Sequence, residues 1–139
     1  MRGLVVALWI GVVAIVAYWT IWFTVDRGWL ATLDTPAYYA FENAFPLADG
    51  WLALAAAAAA ITLRANNPSA AFWLIATGSA ALYLAAMDIT FDVENAVYTS
   101  PDRGVVATEI AINLYSLGLA GWTLATGRRL SSARRRDSA

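Results

Sequence analysis

The chain contains no cysteine and no histidine. That removes disulfides, thiolate metal centres, haem held by histidine, and any nucleophilic or proton-shuttling chemistry by either residue. Lysine is missing too, since all nine basic residues are arginine, so no Schiff base to retinal or pyridoxal can form. Charged residues of both signs make up only 14% of the sequence. Five of the arginines fall within 128–136, whereas most acids lie in or beside apolar stretches. This asymmetry is the pattern of a chain embedded in a bilayer, and no nucleic-acid partner is expected from it.

What is present is apolar surface. Hydrophobic residues account for 60% of 139 positions, and the mean hydropathy is +0.58. One domain of this length and composition is too apolar for an ordinary soluble fold. Residues 3–25 form a continuous apolar run that spans roughly 35 Å as a helix, enough to cross the hydrocarbon core. A cleaved signal peptide would end in small residues. This run ends in Tyr18, Trp19, Trp22 and Phe23, which read as an interfacial belt on a retained helix.

The same logic places three further spans. Thr35 and Pro36 are an N-cap and first-turn pair opening a second helix over about 36–63. Its alanine-rich half favours helix and allows close approach of a neighbour, either within the bundle or in a homo-oligomer. Turn residues at 64–68 lead to a third helix over about 69–97, with Pro68 near its first turn. A loop at 99–104 leads to a fourth over about 104–126, with Gly127 as its C-cap. The expected fold is an all-α integral membrane protein, a four-transmembrane-helix up-down-up-down antiparallel bundle over 1–127 with a basic cytoplasmic tail at 128–139. Arg2, Arg64 and the 128–136 cluster share one side of such a bundle. The positive-inside rule then puts both termini in the cytoplasm, with the chain in the cell membrane.

The acids carry the functional signal. Asp88, Asp92 and Asn95 are spaced i, i+4, i+7 on one helical face, Glu42 and Asp49 are seven apart, and Glu109 and Asn113 are four apart. At helical rise Glu42, Asp49, Asp88, Asp92, Glu109 and Asn113 fall about 8–20 Å below the outer ends of their helices, in one layer of the bundle. A lone carboxylate at that depth costs several kcal/mol, so these groups should face the interior or water. Arg27 and Arg103 on the same side are too few to neutralise Glu42, Asp49, Asp88, Asp92, Glu94 and Glu109. Protonation, a bound cation or a wet pocket must compensate. Pro46 cannot donate to the Glu42 carbonyl, and it should kink the second helix and leave that oxygen free.

Oxygen donors without nitrogen or sulfur suit a hard cation or an organic ammonium. A metal ion is therefore a possible occupant at Glu42, Asp49, Asp88 and Asp92. The candidate ligand-binding set is Glu42, Asp49, Asp88, Asp92, Asn95, Glu109 and Asn113, with Tyr18 and Trp22 as an aromatic wall and Tyr38, Phe41 and Phe45 flanking Glu42. Three functions fit. The first is a binding protein for a cation or a cationic, lipophilic small molecule. The second is an acid–base enzyme of isomerase or cyclase type on a lipid-soluble substrate, with Asp49 and Asp88 as candidate catalytic groups. The third is a structural or assembly subunit whose polar layer only fixes helix register. Glu94 and Asp102 are expected at headgroups or water.

Overall fold

The computed structural model describes residues 1–137, without the side chains of Trp29, Arg134, Arg135 and Asp137. Its elements are α1 (Arg2–Thr24), α2 (Pro36–Glu42), α3 (Pro46–Arg64), α4 (Ala70–Glu94) and α5 (Arg103–Asp137), with short 3₁₀ turns at Arg27–Trp29 and Val97–Thr99. Among the described residues four stretches are long and apolar enough to cross a membrane: Arg2–Thr24, Pro36–Arg64, Ala70–Glu94 and Arg103–Ala133. Consecutive spans pack antiparallel, α1 on α3, α3 on α4 and α4 on α5. Contact between α1 and α5 is sparse. The result is a small multi-pass four-helix bundle whose first and last helices are loosely joined.

Local chemistry sets most boundaries. The Thr35 side chain accepts from the Tyr38 N–H at 3.2 Å and Pro36 occupies the first turn of α2, as a capped start requires. Asn66 adopts a left-handed φ of 50° just after α3. The Asn67 N–H then reaches back to the Thr62 carbonyl at 2.8 Å and the Asn66 N–H to Leu63 at 3.3 Å. These are the two bonds of a Schellman ending. Asp102 caps α5, accepting from Gly104 N–H at 2.8 Å and Val105 N–H at 3.3 Å.

Three expected boundaries need correction. The second span is not one kinked helix, because α2 and α3 are separated at residues 43–45. There the Glu42 carbonyl accepts from the Phe45 N–H at 2.9 Å. A tight turn supplies the donor that Pro46 lacks, so that oxygen is not free. The third helix stops at Glu94 rather than 97, because Ala96 turns left-handed with φ 55° and starts the Val97–Thr99 turn, which buries Val97. Finally, α5 runs through Gly127 to Asp137. Gly127 is no C-cap; a Cβ there would lie 2.8 Å from Ile75 Cγ1 and 3.1 Å from the Ala71 carbonyl. The glycine is where α5 touches α4. Residues 138 and 139 of the expected tail lie outside the described residues.

The half of the bundle that holds the termini is a dry core. Leu4 and Leu8 of α1, Leu74 of α4 and Leu119 of α5 meet Ala56, Ala59 and Ala60 of α3. With Ala55, these alanines are buried, so the most closely packing face of the alanine run is used inside the bundle. The intramembrane acids lie in the other half, towards the 26–35 and 95–102 loops.

Candidate functional site

In that second half a cavity of about 640 Å³ lies between the helices, within the range of roughly 300–1,000 Å³ typical of small-molecule pockets. Five carboxylic acids line it: Glu42 from α2, Asp49 from α3, Asp88 and Asp92 from α4, and Glu109 from α5. No arginine is among the described lining residues. Arg27 instead lies over the Tyr39 ring, 4.7 Å from its centroid, and the Tyr39 hydroxyl donates to Asp34 at 3.2 Å.

On α3 and α4 the lining passes from acids near the loops to apolar residues deeper. On α4 the lining face runs from Asp92 and Asp88 to Leu84 and Ala81, on α3 from Asp49 to Leu52 and Ala56. Steps of three, four and seven residues keep these on one side of a helix. The upper wall also carries aromatic rings. Phe41 of α2 stacks on Phe91 of α4 with centroids 4.1 Å apart and planes at 14°, and meets Phe45 edge-on at 4.7 Å.

Four of the acids are held by neutral donors. The Tyr18 hydroxyl donates to Glu42 Oε2 at 2.9 Å. The Trp19 indole N–H donates to Asp49 Oδ2, also at 2.9 Å. The Thr32 hydroxyl, from the first connection, donates to Glu109 Oε1. Asn113 donates from Nδ2 to Asp92 Oδ2 at 3.1 Å and to the Tyr98 hydroxyl at 2.9 Å. Asp88 differs. It lines the cavity with Glu42, Asp49, Asp92 and Glu109 as its electrostatic neighbours, and it has no hydrogen-bond partner among the described residues.

The Asp92 corner is the most enclosed. Asp92 is 4% exposed and Asn113 5%, and the Asn113 Oδ1 atom is buried without a partner. Beside it, in the 95–102 connection, desolvation together with the hydrogen bond and charge of Asp92 pushes the Tyr98 hydroxyl up to about 12, against a smaller opposing effect of Asn113. That hydroxyl stays a neutral donor at ordinary pH.

The sequence-derived candidates divide accordingly. Glu42, Asp49, Asp88, Asp92, Glu109 and Tyr18 line the one cavity. Asn113 stands behind the wall and positions Asp92. Asn95 is not part of the lining; its amide bonds the Phe91 carbonyl at 2.9 Å as it ends α4. Trp22 is also off the cavity. It is buried, donates to Asn43 Oδ1 at 3.1 Å, and stacks on Tyr18 at 5.8 Å. Among the described residues no three acids are gathered closely enough to hold a metal ion, so the arrangement offers no support for a metal at Glu42, Asp49, Asp88 and Asp92.

Sequence reasoning missed Trp19, Thr32 and Phe91. Phe91 was legible in principle, three residues from Asp88 on the same helical face. Thr32 lies in an aperiodic connection, where no spacing rule could place it. Comparison with protein-family models, with curated proteins and with solved structures finds no match to this chain. Function must be argued from the site alone.

Proposed function

We propose that this membrane protein binds a cationic, lipophilic small molecule in the acid-lined cavity, with Asp88 as the counter-charge for its nitrogen. The observation that carries the reading is the contrast between Asp88 and its neighbours. Four acids have donors from this chain, whereas Asp88 lines the cavity with none among the described residues. A carboxylate in a low-dielectric wall needs a compensating donor or cation. An organic ammonium supplies both, and the Tyr18, Tyr38, Phe41 and Phe91 rings that share the lining favour a cation over water. The spread of the acids around the wall suits one bulky organic cation better than a small metal ion, which needs its ligands within about 2–2.6 Å.

The test is thermal unfolding in detergent with a panel of lipophilic amines. Saturating ligand should stabilise the parent by RT ln(1 + [L]/Kd), about 2.7 kcal/mol at ~100 Kd. Asp88→Asn keeps the shape and removes the charge. It should leave the empty bundle at least as stable and abolish the stabilisation by amines. A parent indifferent to every amine, with an equally indifferent variant, would remove this reading and favour a structural role for the polar layer.

The enzyme alternative draws on the same contrast. Two acids in unlike settings, Asp49 held by Trp19 and Asp88 without a partner, are the arrangement an acid–base pair uses. A neutral lipid-soluble compound that stabilises the protein and is chemically altered by it would favour that reading.

A further inference from the structure

The cavity is not closed on all sides, and part of its lining is exposed along the lengths of α1 and α5. On α3 and α4 the lining residues Leu52, Ala56, Ala81 and Leu84 are buried. On α1 and α5 the lining includes exposed residues as well: Ile10 at 55% and Ala14 on one helix, Ile112 at 43% and Ala111 on the other. These edges belong to the two helices that meet least. They are joined at the deep end, where the Tyr115 hydroxyl donates to the Ala7 carbonyl at 2.6 Å and a Cβ on Gly11 would stand 3.0 Å from the Tyr115 oxygen. Between that tie and the loop end lies a slot within membrane-spanning segments, so what faces it is lipid.

The interior is graded along the same axis. Lining residues on α5 run from Val105 and Glu109 near the loops to Leu119, a length of about 21 Å at helical rise. All five acids occupy the loop half, and the deep half is lined mainly by Leu52, Ala56, Ala81 and Leu119, with the Tyr115 and Ser116 hydroxyls on α5.

We infer that the ligand is a bilayer-dissolved amphiphile with one cationic nitrogen and an elongated apolar body, and that it enters sideways through the slot between α1 and α5. This rests on the cationic-ligand reading above and specifies the molecule and its route. An amphiphile in the leaflet on the loop side already has its head on the same side as the acids and its chain pointing toward the deep half. It slides in without turning over and without passing through water. Its chain fills the apolar half, while its nitrogen meets Asp88. A small hydrophilic ammonium matches only the upper half and gains nothing from the rest.

The experiment uses the full chain in lipid nanodiscs, with radiolabelled dodecyltrimethylammonium and tetramethylammonium as probes. The parent should bind the long-chain compound at least tenfold more tightly. Since the chain has no cysteine, Ala14→Cys with Ile112→Cys places two unique thiols on the slot edges. Bridging them with a cleavable bifunctional thiol reagent should slow uptake of the long-chain probe at least tenfold, trap probe loaded beforehand, and be reversed by cleavage. Ala14→Trp, which narrows the slot without a cross-link, should slow uptake in the same direction. Equal affinity for both probes, or uptake unchanged by the bridge and by Ala14→Trp, overturns the amphiphile and its route while leaving a cation site at Asp88 intact. Failure of both probes to bind the parent, with Asp88→Asn no different, overturns both.

Discussion

The Tyr115 hydroxyl on α5 and the Ala7 carbonyl on α1, 2.6 Å apart, form the tie between two helices that otherwise touch little. Tyr115→Phe removes the donor and keeps the ring. The net loss should be about 0.5–1.5 kcal/mol, read as a lower unfolding midpoint in detergent. Spin labels on α1 and α5 should report a broader distance distribution in the variant. An unchanged distribution would mean that ring packing, not the hydrogen bond, holds the deep end shut.

Close approach of α4 and α5 depends on two glycines. A Cβ on Gly78 would lie 2.6 Å from both Leu124 Cγ and Thr123 Oγ1, and one on Gly127 would lie 2.8 Å from Ile75 Cγ1. Gly118 and Gly121 on the same α5 have nothing within 4 Å. Gly78→Ala and Gly127→Ala should each destabilise by about 1–3 kcal/mol through overpacking. Gly118→Ala and Gly121→Ala should be neutral or stabilising by up to about 1 kcal/mol through helix propensity. Equal effects at all four positions would contradict this packing.

Tyr98 yields an alkaline signature. Its hydroxyl is raised from 10.0 to about 12 in the folded chain, chiefly by desolvation and by Asp92. A raised value means that the folded state favours the neutral phenol. Its contribution to stability is therefore complete below about pH 10 and lost as pH rises toward 12. The parent should lose stability across that window more steeply than Tyr98→Phe, as measured by unfolding midpoints at stepped pH. Parallel curves for the two proteins would show that Tyr98 is not engaged with Asp92.

Orientation is testable because the chain is free of cysteine. The 26–35 and 95–102 connections lie at one end of the bundle, and Met1, Asn66 and Leu130 lie together at the other. The arginine asymmetry predicts that Asp34→Cys and Ser100→Cys label with an impermeant thiol reagent in intact cells, while Ala133→Cys does not. Labelling at position 133 alone would invert the protein and face the acids to the cytoplasm.

The spans, their antiparallel order and the membrane class were legible in the chain itself, because each depends on local quantities. The length of an apolar run such as Arg2–Thr24, the cap at Thr35 and Pro36, and the turn at Asn66 and Asn67 act within one segment. The candidate acids were legible for a related reason: ionisable groups in apolar segments stand out by their cost, and helical spacing assigns them to faces. Where a residue had both a local and a tertiary option, the local reading failed. Gly127 suits a helix C-cap by itself, yet α5 continues, because contact with Ala71 and Ile75 requires a residue without a side chain there. The Glu42 carbonyl should be free opposite Pro46, yet the chain breaks into a turn and Phe45 satisfies it. Which acid has no partner could be decided only in three dimensions. Trp19, Thr32 and Asn113 reach Asp49, Glu109 and Asp92 across 30, 77 and 21 residues of sequence, and no spacing rule carries a hydrogen bond that far. The exposed edges of α1 and α5 are likewise a product of packing: the first and last helices of the bundle are tied at Tyr115 and Ala7 and touch little elsewhere.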